Sequence, residues 1–230
     1  MPEGKSLVSR LVRRGLLGVL GFAVMLFIPA GSLKFWQGWA FLALVLITML
    51  LLGIYFRKYD PQLLERRLQV REKVPEQKRI MKLGSLVFFA SFLLPGLDYR
   101  FGWSRTFPGP VPLWLTLLSL AVFFGCYPWF FWVVKVNRFA SRIIQVEAGQ
   151  TVIATGPYRV IRHPMYLGVV VMWLFAPLAL GSFVALPAFA LLIPVIVFRL
   201  LNEEKILRRD LPGYAEYCQR TRYRLVPFVW

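Results

Sequence analysis

Acidic side chains, histidine and cysteine are all scarce in this chain of 230 residues, which holds 11 Asp and Glu, one His and two Cys. The two cysteines, Cys126 in an apolar stretch and Cys218 in a basic tail, exclude a cystine-stapled secreted scaffold, and with the lone His163 they form no metal-ligand cluster. Charge is scarce as well. Only 17% of residues are Asp, Glu, Lys or Arg against 58% hydrophobic ones, and the mean hydropathy is +0.60. That balance excludes disorder and is too apolar for a soluble domain of this length. The phosphate-cradling glycine pattern that opens a Rossmann domain is missing, as are internal repeats and low-complexity tracts. What remains is a membrane protein with 28 Lys and Arg and a formal charge of +17. The placement of those charges decides what they serve.

Cutting the chain at its charges leaves uncharged stretches Gly15 to Leu33, Phe35 to Phe56, Leu83 to Leu97, Thr106 to Val134 and Pro164 to Phe198. A spanning helix needs about 20 apolar residues, and roughly 17 suffice. The first two stretches fit, the third borrows from its flanks, and the fourth tolerates an unwound start at Pro108, Pro110 and Pro112. The fifth is too long for one helix. Gly181-Ser182 near its middle predicts a tight hairpin of two short helices, Pro164 to Leu180 and Phe183 to about Leu201. The expectation is an all-α integral membrane protein of about six transmembrane helices, the last two a short hairpin.

Basic residues fall almost wholly on one side of this scheme. One side holds Lys34, Arg100 and Arg105; the other takes Lys5 to Arg14, Arg57 to Lys82, Lys135 to Arg162 and Lys205 to Arg224. By the positive-inside rule both termini and the long loops are cytoplasmic. The charge therefore serves topology and anionic membrane lipids, and no nucleic-acid partner is expected. The stretch after Arg13-Arg14 reads as a retained signal anchor, because no small-x-small cleavage site precedes Lys34. Its Gly15, Gly18 and Gly21 predict a close helix contact. Within the loop at 57–82, Asp60-Pro61 reads as a helix N-cap and first position, and Leu63, Leu64 and Leu68 interleave with Glu65, Arg66, Arg67 and Arg71. That pattern predicts an amphipathic helix in the cytoplasmic lipid interface.

Chemistry-bearing residues gather in two places. The run from Gly149 to Tyr166 holds His163, two arginines and two tyrosines, and Pro164 sets His163 beside the N-terminus of the next helix, a position suited to an anion. At the hairpin's far end Arg199 follows sixteen uncharged residues. Glu203, four residues on, shares its helical face, with Glu204 adjacent. An ionisable group at the depth of Arg199 is a functional candidate by default. The tight hairpin returns both clusters to the same side, where they suit a ligand of mixed charge backed by apolar helices. On spacing alone, interfacial anchoring for His163 and Arg162 and an ordinary helix-end ion pair for Arg199 and Glu203 remain open.

The run Gly149 to Tyr166, the segment Arg199-Leu-Leu-Asn-Glu-Glu-Lys-Ile-Leu207, then Gly213-Tyr214, Tyr217 and Arg222-Tyr-Arg-Leu-Val-Pro227 together resemble the isoprenylcysteine carboxyl methyltransferase family and its phospholipid methyltransferase relatives. Pro61 to Leu68, Leu97 to Ser104 and Asn137 to Phe139 resemble stretches of its prokaryotic members. The resemblance implies an integral membrane methyltransferase of a prokaryotic cytoplasmic membrane, its active site facing the cytoplasm and its S-adenosylmethionine held by the last helices and the preceding loop. It implies two parts: helices and loop in residues 1–134, and a methyltransferase core in 135–230. By position, Gln150, Thr151, Val152 and Ile153, then Tyr158, then His163, Pro164, Met165 and Tyr166, match cofactor-lining strips, Glu203 matches the acidic cofactor ligand, and Arg199 matches the substrate residue. Gln150 departs from the histidine common there, and Asn202 stands where many relatives have an acid.

Methyl transfer from a sulfonium is an in-line displacement that needs alignment and dryness. A carboxylate acceptor requires no base; Arg199 would hold it while Glu203 takes the cofactor's ammonium or hydroxyls and His163 faces its carboxylate. An amine acceptor would need Glu204 or a tyrosine as base. The expected substrate is a lipophilic small molecule or lipid. Two rivals stand: an NADPH-dependent sterol-reductase-like membrane enzyme, which shares a similar Arg-His-Pro hairpin, and a non-enzymatic membrane scaffold.

Overall fold

The computed structural model describes residues 3–68, 75–139, 146 and 149–230, with the side chains of 3–8 and 66–68 outside that description. Long apolar runs without interior charge become helices α1 (Glu3–Ala30), α2 (Trp36–Tyr59), α4 (Pro75–Phe101) and α6 (Leu113–Val136). Short helices α3 (Pro61–Leu68) and α5 (Trp103–Thr106) lie between them. The last third supplies α7 (Pro164–Ala179), α8 (Leu186–Ala190), α9 (Leu192–Asp210) and α10 (Tyr214–Arg220). Among the described residues, five helical stretches are long and apolar enough to cross a membrane, the fifth being α8 and α9 together, and α7 is a shorter apolar helix of 16 residues.

The hairpin expected at Gly181-Ser182 is present. Leu180 closes α7 through its amide to Ala176 O, and Gly181 takes a φ of +72°, in the left-handed region a tight reversal needs. Its second arm differs from the expected Phe183 to Leu201. It starts at Leu186, is interrupted at Leu191 and runs on to Asp210, because the amides of Phe183, Val184 and Ala185 are occupied in the turn by serine hydroxyls. The third span also extends beyond its apolar stretch to Pro75–Phe101, and Pro108 to Pro112 precede α6 unwound as expected.

Helix α1 packs on α2 and α4, α6 on α7, and α4 on α8 and α9. Phe92 of α4 centres the core, with ring centroids 5.1 Å from Phe22, 5.8 Å from Phe41, 4.7 Å from Phe88 and 4.8 Å from Phe189. These separations suit tilted and edge-on aromatic pairs and join α1, α2, α4 and α8. The outer face is apolar too: Leu16, Leu20, Ile28, Leu50, Ile54, Leu86 and Phe198 are exposed, as helices solvated by lipid require. Trp36, Trp39, Phe101, Trp103, Phe107 and Trp114 are exposed on one end of the bundle, an aromatic girdle at a membrane interface.

Two expectations need correction. Gly15 meets only the end of Met49 at 3.9 Å, and Gly18 and Gly21 have no described atom within 4 Å, so the glycines of α1 make no close helix contact. The intimate crossing is at Gly96 of α4, where a Cβ would lie 2.5 Å from Leu26 O. The amphipathic helix α3 forms with Asp60 as its cap, Leu63 N donating to Asp60 Oδ1 at 3.1 Å. Its Leu63 and Leu64 are buried against Phe56 and Val134, so the apolar face closes on α2 and α6 rather than on lipid. Arg71, also counted in that pattern, and the rest of 69–74 lie outside the described residues.

Gly96→Ala is expected to destabilise the protein by about 1–3 kcal/mol, because backbone rather than a movable side chain opposes the added methyl. Gly18→Ala should be neutral or slightly stabilising. Thermal unfolding of the two variants in detergent checks the contrast.

Candidate active site

At the end of the bundle where α2, α6 and α9 finish in Arg57, Lys58, Lys135, Arg208 and Arg209, the chain builds a cavity of about 370 Å3. Its construction begins with Pro164 at the first position of α7, which cannot donate and so begins the helix cleanly. The first intrahelical amide is that of Leu167, donating to His163 O, so Met165 and Tyr166 carry first-turn amides at the cavity wall. Trp129 of α6 fixes this terminus through Nε1 to Pro164 O at 2.7 Å. Gly168, one turn on, is where α6 comes closest, since a Cβ there would meet the Phe130 ring at 2.7 Å.

Arg162 closes the back of the site. Its Nη1 donates to Glu204 Oε1 at 3.0 Å, its Nε to Thr221 O at 2.7 Å, and its Nη2 to Cys218 O and Arg222 O at 2.9 and 3.1 Å. The main chain beside it pairs with the C-terminal segment, Arg162 N to Tyr223 O and His163 N to Arg224 O, with Ile161 and Tyr223 forming a parallel bridge. Glu204 also accepts from Arg224 Nε at 3.1 Å and lies 3.3 Å from His163 Nε2. Arg162 and Glu204 are 9% and 3% exposed, so each charge depends on the other and on the carbonyls around them. This lock joins the loop before α7, α9 and the C-terminal tail.

A second polar chain lies on the cavity side of α9. The Tyr166 hydroxyl donates to Glu203 Oε2 and accepts from Arg199 Nε at 3.1 Å. Arg199 Nη1 also reaches Gln77 Oε1 at 3.4 Å. Thus Arg199 and Glu203, matched by helical spacing, are linked through a tyrosine contributed by α7. Tyr217 of α10 donates to Tyr158 O at 2.8 Å and ties the far wall to the loop at 156–159. Burial pushes the phenols of Tyr214 and Tyr217 well above the ordinary range, with the Glu204 carboxylate adding to the rise at Tyr214, so both remain neutral and are poor bases near neutral pH.

The structure brings the eleven expected site residues together. Gln150, Thr151, Val152 and Ile153 form one wall, Tyr158 another, His163, Pro164, Met165 and Tyr166 the α7 rim, and Arg199 and Glu203 the α9 wall. His163 lines the cavity, but its Nε2 turns toward Glu204 rather than outward as expected for a ligand carboxylate. Other residues of the site carry no sequence signal of their own. Asn137 and Phe139 were noted only as part of a resemblance, whereas Gln77, Met81, Trp173, Ile196 and Leu211 stand in no motif. Gln77 and Met81 share a face of α4 at i, i+4 spacing, but Gln77 stands among Glu76, Lys78 and Arg79, so nothing in the local sequence singles it out.

Residues 117–209 match the model of the isoprenylcysteine carboxyl methyltransferase (ICMT) family. The chain is similar to Delta(14)-sterol reductase TM7SF2 of Mus musculus, 32% identical over 90 residues that make 38% of this chain and 22% of the relative. It is also similar to cobalt-zinc-cadmium resistance protein CzcN of Cupriavidus metallidurans, 28% identical over 147 residues that make 61% of each. Both matches span less than two thirds of the relative's length. The family match covers most of α6, the loop, the hairpin and nearly all of α9, the elements that supply most of the cavity wall.

Replacing Glu204 with Ala strands the buried Arg162 and removes a partner of Arg224. The expected loss is about 3 kcal/mol or more, with the tail after Cys218 released to protease while the helices remain intact. Limited proteolysis in detergent, followed by mass spectrometry of the C-terminal fragments, reports it.

Proposed function

We infer from the match of residues 117–209 to the isoprenylcysteine carboxyl methyltransferase family model, together with the cavity, that the chain is an integral membrane S-adenosylmethionine-dependent methyltransferase acting on a lipophilic acceptor. The observation that carries the reading is the convergence on one cavity of a carboxylate, Glu203, a buried guanidinium, Arg199, and the first-turn amides of α7, with an apolar wall from Val169, Trp173 and Ile196. Such a donor and acceptor set suits a zwitterionic amino-acid moiety on one side and an apolar chain on the other. A volume of about 370 Å3 is at the small end of ligand pockets. It suits a nucleoside joined to an amino acid better than a dinucleotide.

When bound, S-adenosylmethionine supplies a methyl group on a sulfonium, an electrophile needing no acid or metal. Glu203, steadied by the Tyr166 hydroxyl, would hold the ammonium or ribose hydroxyls, and the amides of Met165 and Tyr166 would hold the carboxylate. The strip Gln150 to Ile153 would close over the adenosine. Arg199, steadied by Gln77 and Tyr166, would orient an acceptor carboxylate for in-line attack, and the surrounding apolar residues would exclude water. A carboxylate acceptor is favoured over an amine because the groups that could serve as base are either engaged or neutral. Glu204 is occupied by Arg162, Arg224 and His163, and the phenols of Tyr214 and Tyr217 stay neutral. The excess of Lys and Arg at this end of the bundle supports a cytoplasmic site by the positive-inside rule.

The partial match to a sterol reductase supports NADPH as the rival cofactor. Among the described residues lining the cavity the cations are Arg162 and Arg199, and Arg162 is already bonded to a carboxylate and three carbonyls. A 2′-phosphate would therefore find little there. Calorimetric titration of S-adenosylmethionine, S-adenosylhomocysteine and NADPH into the detergent-purified protein tests the assignment. Saturable binding of the first two is expected, weakened about tenfold or more by Glu203→Gln. Binding of NADPH alone would make the protein a reductase, and no binding by folded protein would remove the enzymatic reading.

A further inference from the structure

Gln77 belongs to none of the motifs that point to the cavity, and it comes from α4, outside the segment that matches the family. It is nevertheless 0% exposed, and its amide meets one residue twice. Nε2 donates to the main-chain O of Arg199 at 3.3 Å, and Oε1 accepts from Arg199 Nη1 at 3.4 Å. A buried carboxamide is costly unless its polar atoms are partnered, so this reciprocal pairing fixes Gln77 as much as Arg199. The backbone contact sets where Arg199 starts, and the side-chain contact sets where its guanidinium points.

The approach of the two helices is built around this contact. Met81, one turn beyond Gln77, lines the cavity, and Gly84 lies where a Cβ would come 2.8 Å from Val195 Cγ1 of α9. The three residues share one face of α4 at i, i+4, i+7 spacing. Gln77 is also neutral. Its contact turns the Arg199 guanidinium without adding a charge of its own, whereas Glu204 brings a carboxylate to the arginines that it binds.

We propose that Gln77 is a positioning residue that aims the Arg199 guanidinium at an anionic group of the methyl acceptor, so that α4 takes part in setting acceptor charge specificity. The proposal rests on the reading of the cavity as a methyltransferase site in which Arg199 faces the acceptor. Gln77→Glu would keep the shape and replace the neutral partner with a carboxylate that competes for the guanidinium. Gln77→Leu would keep the bulk and remove both hydrogen bonds.

The test uses the full chain in detergent and two probes, N-acetyl-S-farnesylcysteine and its uncharged carboxamide, with S-adenosylhomocysteine binding measured alongside. Wild-type protein is expected to bind the carboxylate about tenfold or more tighter than the amide. Gln77→Glu should bring that ratio close to one and Gln77→Leu should reduce it about threefold, while S-adenosylhomocysteine affinity stays within about twofold of wild type. A purely structural role would move both ligands together and leave the ratio unchanged. A wild-type ratio near one, or a wild-type-like ratio in Gln77→Glu, overturns the proposal. If Gln77→Glu does not fold, the same ratio is read from Gln77→Asn, whose shorter amide cannot span both Arg199 contacts; an unchanged ratio there overturns it equally. Failure of wild-type protein to bind S-adenosylhomocysteine overturns the methyltransferase reading instead, and the two failures are distinguished by which ligand is lost.

Discussion

The architecture at the functional end depends on one buried ion pair, Arg162 with Glu204. Three segments distant in sequence meet there: the loop before α7, the body of α9 and the tail after α10. An arginine with four acceptors and a carboxylate with three donors satisfy each other almost completely, which is the condition under which charges tolerate burial. The energy of such a pair against a hydrophobic alternative is small. Its value is directional: the guanidinium plane and the carboxylate admit one arrangement of the three segments, and with it one shape of the cavity wall.

Two neighbouring glutamates on α9 show how that direction is used. Successive residues on a helix differ by about 100° in heading, so Glu203 and Glu204 address different surroundings. Glu204 turns into the lock and is fully partnered; Glu203 turns to the cavity and is steadied by Tyr166. On the proposed reading, structure and ligand recognition are thereby divided between adjacent carboxylates. The same economy holds for the two arginines, Arg162 bound into the lock and Arg199 set against the cavity by Tyr166 and Gln77.

The opposite end of the bundle has a counterpart. Asp98 of α4, 3% exposed, accepts from Ser104 N at 2.7 Å and from the hydroxyls of Ser104 and Ser182. Ser104 Oγ in turn accepts from Phe183 N and Val184 N. The stretch from Leu97 to Ser104, legible only as a family resemblance, is thus the anchor of the hairpin turn. By holding the turn it holds the relative placement of α7 and α9, and so the separation of the two cavity walls at the other end. Hydrogen bonds of this kind are well suited to a membrane interior, where apolar packing distinguishes poorly between helix neighbours and lipid.

Much of the protein was legible in its residues because the bilayer imposes simple rules. Span positions follow from the spacing of charges, and the hairpin from a glycine in a stretch too long for one helix. The cavity wall followed from polar residues placed beside a proline-started helix and four apart on another. Tertiary structure alone decided the rest. Gly18 and Gly21 of α1, which the pattern marked for contact, face outward, while the lone Gly96 admits the backbone of α1, because spacing along a helix does not say which face meets a neighbour. Leu63 and Leu64 turn inward rather than to lipid, since both surroundings are apolar and the pattern is the same for either. His163 faces Glu204, and Gln77 joins the site from 122 positions away, because a hydrogen bond depends on distance in space, about which local sequence carries no information.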